Sequence, residues 1–485
     1  MSALQQCFTP TLRSLGKKVV CGVVAVLILL LPPVHLSHAN ILDSFGKFGI
    51  KDEHELGRKF SVLVKSRMPI IQDPEIVRYA NYVLDRLQEN IPPQPFPFEI
   101  NVIVDNKLNA FAVPGGYVFV NTGMLLELEH ESELAGVLAH ELAHVTQRHI
   151  ANRINNAQKV QMISLLGMVA GAVLGATSSG NAGSGLLTGS LAAGQAAMLN
   201  YSREDEREAD QIGLLYLADA GYNPHGLPSS FEKIRKRKWE SGSNVPTYLS
   251  THPDIEERQD YLSGRVASLP QAVQQRPDND EQFQHIQTLV RARYTAPESA
   301  LAYFSQREET PLVLMGKAIA LSRSNNIQAA TAMFDAALKA DPKNALILRE
   351  AGRFHYTKGT TNKAIFLLQK ATVRNPEDLM TLFFYARLLN EQGDHNTAAT
   401  YYEKILKTLP EDSEVHFFYG KLLGQNGDEF SGHLHLAYSA LYRNDKKKSA
   451  YHIKKAEALA KTQEQEEAIT LIKHQRKERA AYWNK

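Results

Sequence analysis

The order of apolar and polar positions divides the chain into a mixed α/β part and a later, purely helical part. The runs FEINVIVDN at 98–106 and GYVFVNTG at 116–123 are rich in Val, Ile and Phe, which indicates strands joined through a Pro-Gly-Gly turn. Residues 131–152 instead space their apolar side chains by three and four, as one face of a helix requires. The pattern predicts a mainly α domain with a small β-sheet over residues 40–265.

A spacing of 34 residues organises the C-terminal part. The residues that recur at this spacing are Pro342, Pro376 and Pro410; Asn325, Gly359, Gly393 and Gly427; and Ala330, Ala364 and Ala398. Three series in phase resemble the tetratricopeptide repeat, in which two helices meet at a turn. After residue 412 the pattern restarts 17 positions late. Residues 297–463 are therefore predicted to hold about four helix pairs and one odd helix.

Two segments flank the repeats. Residues 266–296 are polar and contain prolines, so they are predicted to be a linker. Residues 464–485 mix basic, acidic and glutamine residues, and are predicted to form a capping helix with a frayed end. The chain is 44% hydrophobic and 22% charged, which is ordinary for a globular protein and excludes bulk disorder.

Residues 1–39 have the features of a cleaved secretory signal. Basic residues precede the apolar run at 19–31, and Ser37-His38-Ala39 has the small-x-small cleavage pattern. The run of 13 is short for a bilayer span, which needs roughly 20 residues, but an uncleaved membrane anchor is the alternative. Cleavage removes three basic residues and both cysteines, which changes the formal charge from +2 to −1. Neither a disulfide nor a nucleic-acid role is therefore expected.

Residues 161–199 are apolar and rich in small side chains. Gly167, Gly171 and Gly175 recur every four positions, which lets two backbones approach closely. We expect a helical flap near the active site, and a membrane-contacting hairpin is the alternative.

The segment HELAH at 140–144 has the spacing of a zinc-binding helix. Residues four apart share a helical face, so His140 and His144 present two imidazoles to one tetrahedral Zn²⁺. Glu141 lies about 100° round the helix, beside the open metal position, where it can act as a general base. His149 lies about 180° from His140 on an unbroken helix, and is assigned to the opposite face. Two surface histidines on an amphipathic helix are the alternative that the apolar surroundings disfavour.

The third metal ligand is expected from SREDEREADQIG at 202–213. Steps of three and four place Glu206 and Asp210 on one inward stripe, whereas Asp205 and Glu208 point into solvent or towards arginines. Glu206 is the predicted ligand. Asp210 is predicted either to hydrogen-bond a ligand histidine or to assist proton transfer.

HELAH and SREDEREAD, with NAFAVPGG upstream and THP-x4-R downstream, resemble the gluzincin metallopeptidases of the HtpX and CAAX-prenyl-protease group. The resemblance implies a zincin-like metalloprotease domain, followed here by a tetratricopeptide α-solenoid. It implies that His140, His144 and Glu206 bind one Zn²⁺, that Glu141 is the base, and that Asp210 is a catalytic acid or a supporting group.

The resemblance also implies roles that spacing does not assign. His252 matches a histidine that can occupy zinc's open position and hold the enzyme latent, with an ordinary loop histidine as the alternative. Arg258 matches an arginine that could stabilise the oxyanion. Asn109 matches an asparagine at the cleft edge, and its alternative is a plain turn residue.

These features together predict a zinc endopeptidase of the bacterial periplasm that cuts unfolded or stalled polypeptides. By resemblance, its clients are outer-membrane β-barrel proteins, its partner is their assembly machinery, and it acts as a chaperone when cleavage is latent. Membrane contact is expected to be peripheral at most. The alternatives are a binding scaffold with a latent or vestigial metal site, and a membrane-embedded processing protease.

Overall fold

The structure is a computed structural model that describes residues 48–156, 201–240 and 247–480. The predicted leader at 1–39 and the predicted flap at 161–199 lie outside the described residues. None of the described helices is long and apolar enough to cross a bilayer.

The small sheet consists of β1 (Glu99–Ile103), β2 (Ala110–Val113) and β3 (Tyr117–Asn121), in the order β1-β3-β2. The central strand β3 runs parallel to β1 and antiparallel to β2. The turn between β2 and β3 uses Gly115 and Gly116 at φ values of +82° and +88°, which glycine adopts without strain. The two predicted strands are confirmed as β1 and β3. Strand β2 was not predicted, because it lies within the segment predicted as a turn; it is an edge strand beside the helix that carries HELAH.

The helices of the first domain surround one buried helix. They are α1 (Ile50–Arg67), α2 (Pro74–Gln88), α3 (Thr122–Glu127), α4 (Glu131–Thr146), α5 (His149–Asn156), α6 (Arg203–Asp219), α7 (Gly226–Glu240), α8 (Thr247–Thr251) and α9 (Ile255–Ala267). Every residue of α4 up to Val145 is buried. Glycine permits its closest contacts: a Cβ on Gly136 would lie 2.8 Å from the backbone of Leu227, and one on Gly213 would lie 3.0 Å from that of His140.

Residues 266–296, predicted to be a linker, are partly helical and packed. They contain α10 (Gln271–Gln274) and α11 (Glu281–Tyr294). The buried residues of α11 are Phe283, Ile286, Leu289, Val290 and Ala292. Phe283 stacks on Tyr79 of α2, with ring centroids 6.1 Å apart. The segment therefore belongs to the core that joins the two parts of the chain.

The C-terminal part is a series of antiparallel helix pairs. Its helices are α12 (Pro297–Ser305), α13 (Pro311–Arg323), α14 (Ile327–Ala340), α15 (Ala345–Thr357), α16 (Thr361–Arg374), α17 (Leu379–Glu391), α18 (His395–Thr408), α19 (Ser413–Gln425), α20 (Glu429–Tyr442), α21 (Lys446–Leu459) and α22 (Gln463–Ala480). The residues with positive φ in the turns are Asn325, Gly359, Gly393, Gly427 and Asn444. The 34-residue spacing is thus the spacing of left-handed turn residues.

Helix α20 explains why the pattern restarts 17 positions late. It packs against α19 across the turn at Gly427 and against α21 across the turn at Asn444. It is therefore the second helix of one pair and the first helix of the next. Four pairs run from α13 to α20, α12 precedes them, and α21 follows them. The range 297–463 therefore holds one helix more than predicted, and α22 covers the end of the array.

Buried ion pairs fix the beginning of the array to the first domain. Arg349 on α15 is 1% exposed and pairs with Glu75 at the start of α2. Arg293 on α11 bridges Asp73, the N-cap of α2, and Glu350 on α15. Because removing one partner would leave a buried charge uncompensated, these pairs hold the two parts in one arrangement.

The far end of the array contacts the same domain. Arg58 on α1 pairs with Glu478 on α22 at 2.5 Å, and Lys65 on α1 pairs with Glu411 at 3.3 Å. The array is therefore attached near both of its ends.

Acid is expected to destabilise the contact between α19 and α20. The Nδ1 atoms of His416 and His435 lie 2.8 Å apart, and His416 Nε2 donates to the Pro410 carbonyl at 2.9 Å. Burial lowers the pKa of His416 to about 4 and, with His416 alongside, that of His435 to about 3. The unfolded chain binds protons below about pH 6.5. The contribution of the two neutral histidines to the free energy of unfolding is therefore complete above that pH, and it is lost as the pH falls towards 4.

Amide hydrogen exchange, corrected for intrinsic rates, measures this loss. Between pH 7.5 and pH 5 the free energy of opening α19 and α20 should fall by about 1–2 kcal/mol per histidine. A variant carrying His416→Phe and His435→Leu is the control and should lack that pH dependence. An equal fall of the opening free energy in the wild type and in this variant would contradict the assignment of the pH dependence to His416 and His435.

Candidate metal centre

Two histidines on α4 face one position. They lie one helical turn apart, and the Nε2 atoms of His140 and His144 are separated by 3.0 Å. Both rings are buried, and burial lowers the pKa of each. Both imidazoles are therefore favoured in the neutral form, which is the form that binds a metal.

Glu206 reaches the histidines from α6. The hydroxyl of Ser202, the N-cap of α6, accepts a hydrogen bond from the backbone N–H of Asp205 at 3.1 Å. One turn further on, the carboxylate of Glu206 lies 3.4 Å from His144 Nε2 and 3.6 Å from His140 Nε2. The inward stripe predicted for α6 thus brings a carboxylate to both rings.

His252 joins this group from the residue that follows α8. Its Nδ1 atom lies 2.9 Å from Glu206 Oε1 and 3.3 Å from His140 Nε2. The ring is fully buried. Although burial opposes it, the Glu206 and Glu141 carboxylates raise the pKa of His252.

We call His140, His144, Glu206 and His252 the donor group. One ligand atom from each lies within 4.8 Å of all the others. Tetrahedral zinc with bonds of about 2.0–2.1 Å holds its ligands about 3.3 Å apart, and the separations above run from 2.9 to 3.6 Å. Lone pairs that face one another this closely are satisfied by a cation between them. The donor group therefore fits one zinc ion.

Glu141 lies against the donor group. The backbone N–H of Ala112 in β2 donates to Glu141 Oε2 at 3.0 Å, and Glu141 Oε1 faces His252 Nε2 at 3.4 Å. Burial raises the pKa of Glu141 to about 7. A carboxylate with this pKa can act as a general base at neutral pH.

Arg258 on α9 pairs with the two acids behind the donor group. Its Nη1 contacts Glu206, and its Nε and Nη2 donate to Asp210 at 2.8 and 2.7 Å. Although burial opposes it, Arg258 lowers the pKa of Asp210 to about 2. Asp210 also lies 3.0 Å from His140 Nδ1, so the geometry favours the role of orienting a ligand histidine. The oxyanion role of Arg258 stays a prediction, because both acids engage its guanidinium.

The placement predicted for His149 was wrong. Helix α4 ends at Thr146, Arg148 adopts a left-handed φ of +55°, and His149 begins α5. The assumption of an unbroken helix therefore fails. The turn brings His149 Nδ1 within 2.8 Å of His144 Nδ1, while its Nε2 lies 3.2 Å from Glu208. His149 lies outside the donor group but supports one of its members.

Asn109 lies directly before β2. Its carbonyl accepts a hydrogen bond from the backbone N–H of Asn121 at 2.9 Å. Its side chain is buried, and the structure shows no hydrogen bond to Oδ1 from any described residue. Its role at the cleft edge stays a prediction.

Sequence reasoning missed two tyrosines at the site. Tyr248 on α8 stacks on His252 with ring centroids 4.3 Å apart, and Tyr201 stacks on His144 at 3.6 Å. Tyr248 precedes His252 by four residues, so the helical spacing that identified HELAH could have found it. Tyr201 precedes the N-cap of α6 and carries no comparable signal in the sequence.

Known families match the two parts of the chain separately. Residues 72–266 match Peptidase family M48. Residues 315–378 and 379–422 each match a tetratricopeptide repeat. The first match contains the donor group. The two repeat matches together span α13 to α19, which is three and a half helix pairs.

Two curated relatives match different shares of this chain. The beta-barrel assembly-enhancing protease of Escherichia coli (strain K12) is 28% identical over 374 residues, which cover 74% of this chain and 75% of that protein. Mitochondrial metalloendopeptidase OMA1 of Schizosaccharomyces pombe is 34% identical over 180 residues, which cover 37% of this chain and 50% of that protein. A solved structure of MamA is 17% identical, covers 32% of this chain and 95% of its own, and has a TM-score of 0.29. That score is too low to support an argument.

Gly213 on α6 is expected to control how closely Glu206 approaches the histidines. A Cβ at this position would lie 3.0 Å from the His140 backbone, so Gly213→Ala must push α6 away from α4 by a few tenths of an ångström. We expect a loss of about 1–3 kcal/mol in the free energy of unfolding and about tenfold weaker zinc binding. Competition with a chelator of known affinity measures the second effect.

Gly264→Ala on α9 is the matched control. A Cβ there meets nothing within 4 Å, so the substitution should stabilise the protein by about 0.4–1 kcal/mol and leave zinc affinity unchanged. Equal zinc affinity in the two variants would contradict the role of Gly213.

Proposed function

We propose that this chain, whose residues 72–266 match peptidase family M48, is a zinc endopeptidase of the bacterial periplasm that acts on unfolded or misassembled outer-membrane proteins. The repeat array binds the client or an assembly machine. The observation that carries the proposal is the buried donor group with Glu141 directly against it.

The substrate class and location rest on support from outside the site. A relative named for β-barrel assembly matches 74% of this chain, including both the peptidase and the repeat region. The predicted secretory leader at residues 1–39 supports export from the cytoplasm. A tetratricopeptide array is a common protein-binding surface, which supports polypeptide partners.

Peptide cleavage at this site needs a Lewis acid, a base and a place for the substrate. His140, His144 and Glu206 would hold a zinc ion, which would supply Lewis-acid chemistry at this site. Glu141 takes a proton from the attacking water and delivers it to the leaving amine. Edge strand β2, whose Ala112 N–H fixes Glu141, allows an extended substrate to add alongside it.

The supporting residues hold these groups in place. Asp210 lies at Nδ1 of His140 and thereby directs Nε2 of that ring towards the centre of the donor group. Arg258 compensates the charge of Glu206 and Asp210, which are both buried. The donor group can therefore include an ionised carboxylate without an uncompensated charge behind it.

His252 closes the site in this conformation. Its Nδ1 belongs to the donor group while its Nε2 faces Glu141, so the ring fills the place where water would meet both zinc and the base. Cleavage requires the ring to withdraw. The proposed enzyme is therefore latent at rest, and an array that holds clients while the site is closed would act as a chaperone.

A binding scaffold is the second candidate function. The observation that favours it is the complete burial of His252 between the donor group and the base. A site that never opens would leave the repeats as the functional part. Rescue of envelope defects by the Glu141→Gln variant as fully as by the wild type would favour this reading.

Glu141→Gln is expected to lower casein cleavage about a hundredfold or more, because an amide cannot accept the proton. The substitution keeps the size of the side chain, so zinc content should stay at one ion per chain. Purified protein is assayed with and without a chelator, and its metal is measured. Equal cutting by both proteins, or cutting that survives removal of the metal, would refute the zinc-peptidase proposal.

His252→Ala is expected to raise cleavage. If the closed form is favoured by about 1.4 kcal/mol, the site is open about one tenth of the time, and removing the ring raises the rate about tenfold. Zinc should remain bound through the other three ligands. His225→Ala, in an exposed loop before α7, is the control and should leave the rate unchanged. A rate in His252→Ala at or below that of the wild type would end the latency proposal.

A further inference from the structure

Four aromatic rings pack together in the site as two stacked pairs. Tyr248 stacks on His252 with centroids 4.3 Å apart and an interplanar angle of 22°, and Tyr201 stacks on His144 at 3.6 Å and 21°. The contacts between the pairs are longer and tilted: His252 lies 5.4 Å from Tyr201 at 34° and 5.3 Å from His144 at 55°. His252 is therefore stacked on Tyr248 and only tilted against the other two rings.

Tyr248 and His252 belong to one helical turn. The backbone N–H of His252 donates to the Tyr248 carbonyl at 2.9 Å, and the hydroxyl of Thr251 donates to the same carbonyl at 3.0 Å. A four-residue step on this turn places the two rings face to face. The stack is thus part of the local fold of α8 and needs no metal to form.

Tyr248 is anchored in the first domain. Its side chain is fully buried in the main core, and its backbone N–H donates to the Leu108 carbonyl at 3.3 Å. Leu108 lies in the loop between β1 and β2. The ring of Tyr248 therefore gives His252 a fixed surface to rest on, independent of the other members of the donor group.

We propose that Tyr248 is a positioning residue that holds His252 in the donor group and thereby sets the fraction of the protein that is latent. This inference rests on the proposed latency by His252. A stacked aromatic pair changes a two-state equilibrium by about two- to tenfold. Loss of the ring should raise the open fraction by that factor.

The environment of the Tyr248 hydroxyl indicates whether the ring or the hydroxyl holds His252 in place. Within the described residues it has no hydrogen-bond partner, although it is buried. An unpaired buried hydroxyl does not stabilise the conformation that buries it. The ring alone therefore holds His252, and Tyr248→Phe should retain the closed site.

Tyr201 is less suited to this role. Its ring lies 5.4 Å from that of His252 but 3.6 Å from that of His144, so it packs mainly on a ligand that stays in place. Its backbone N–H approaches the Thr251 carbonyl only at 3.4 Å. A change at Tyr201 would disturb His144 directly, whereas the donor-group ring that Tyr248 stacks on is that of His252.

Cobalt substitution of the full chain tests the proposal without relying on activity, since the visible spectrum of Co²⁺ reports its ligands. Tyr248→Leu and Tyr248→Met both remove the ring, and their spectra should move towards that of His252→Ala. Tyr248→Phe should restore the wild-type spectrum. Tyr222→Leu is the matched control, because Tyr222 is also a buried tyrosine of this domain but packs on Arg86. It should lower thermal stability and leave the spectrum unchanged.

A double-variant cycle separates this proposal from the latency that it rests on. Casein cleavage should rise about two- to tenfold in Tyr248→Leu and Tyr248→Met, and neither should add to the rate of His252→Ala. If His252→Ala changes the spectrum and the rate but the Tyr248 variants do not, the positioning role is overturned. If Tyr248→Leu raises the cleavage rate by the same factor in the wild type and in the His252→Ala background, the positioning role is overturned as well. If His252→Ala changes neither the cobalt spectrum nor the cleavage rate, the proposed latency by His252 is wrong.

Discussion

The burial of the Glu206 carboxylate is the constraint on which the rest of the site depends. An ionised group that is 1% exposed in the middle of a domain is strongly unfavourable unless positive charge compensates it. Arg258 supplies a permanent charge on one side, and the donor-group histidines face the carboxylate on the other. This requirement accounts for the convergence of α6, α8 and α9 on α4, because each contributes one of the charges or donors.

The same constraint connects the fold to the chemistry. Glycine lets α6 approach α4 closely enough for Glu206 to reach two histidines, and the edge strand β2 fixes the base through a backbone N–H. Buried ion pairs and the core of α11 then attach the beginning of the array to this domain, and the partly exposed pair of Arg58 and Glu478 attaches its far end. A polypeptide bound by the repeats would therefore be held on the same body that carries the candidate metal centre.

The sequence allowed correct predictions where residues lie on one regular helix or repeat, because their spacing in sequence then determines their relative positions in space. The four-residue step in HELAH, the inward stripe of α6 and the 34-residue turns were predictable because helices have a fixed period. His149 failed because Arg148 enters a left-handed conformation that its residue type does not signal. Helix α11 was hidden by the polar, proline-containing residues around it. His252 lies far along the chain from the other donors, so tertiary packing alone brings it to them, and only the family resemblance pointed to it.

X-ray absorption at the zinc edge tests the central claim most directly, because it counts the imidazoles bound to the metal in the resting protein. We expect three imidazole ligands and one carboxylate in the wild type, from the four members of the donor group. We expect two imidazoles in His252→Ala. Two imidazoles already present in the wild type, or no zinc bound at all, would contradict it.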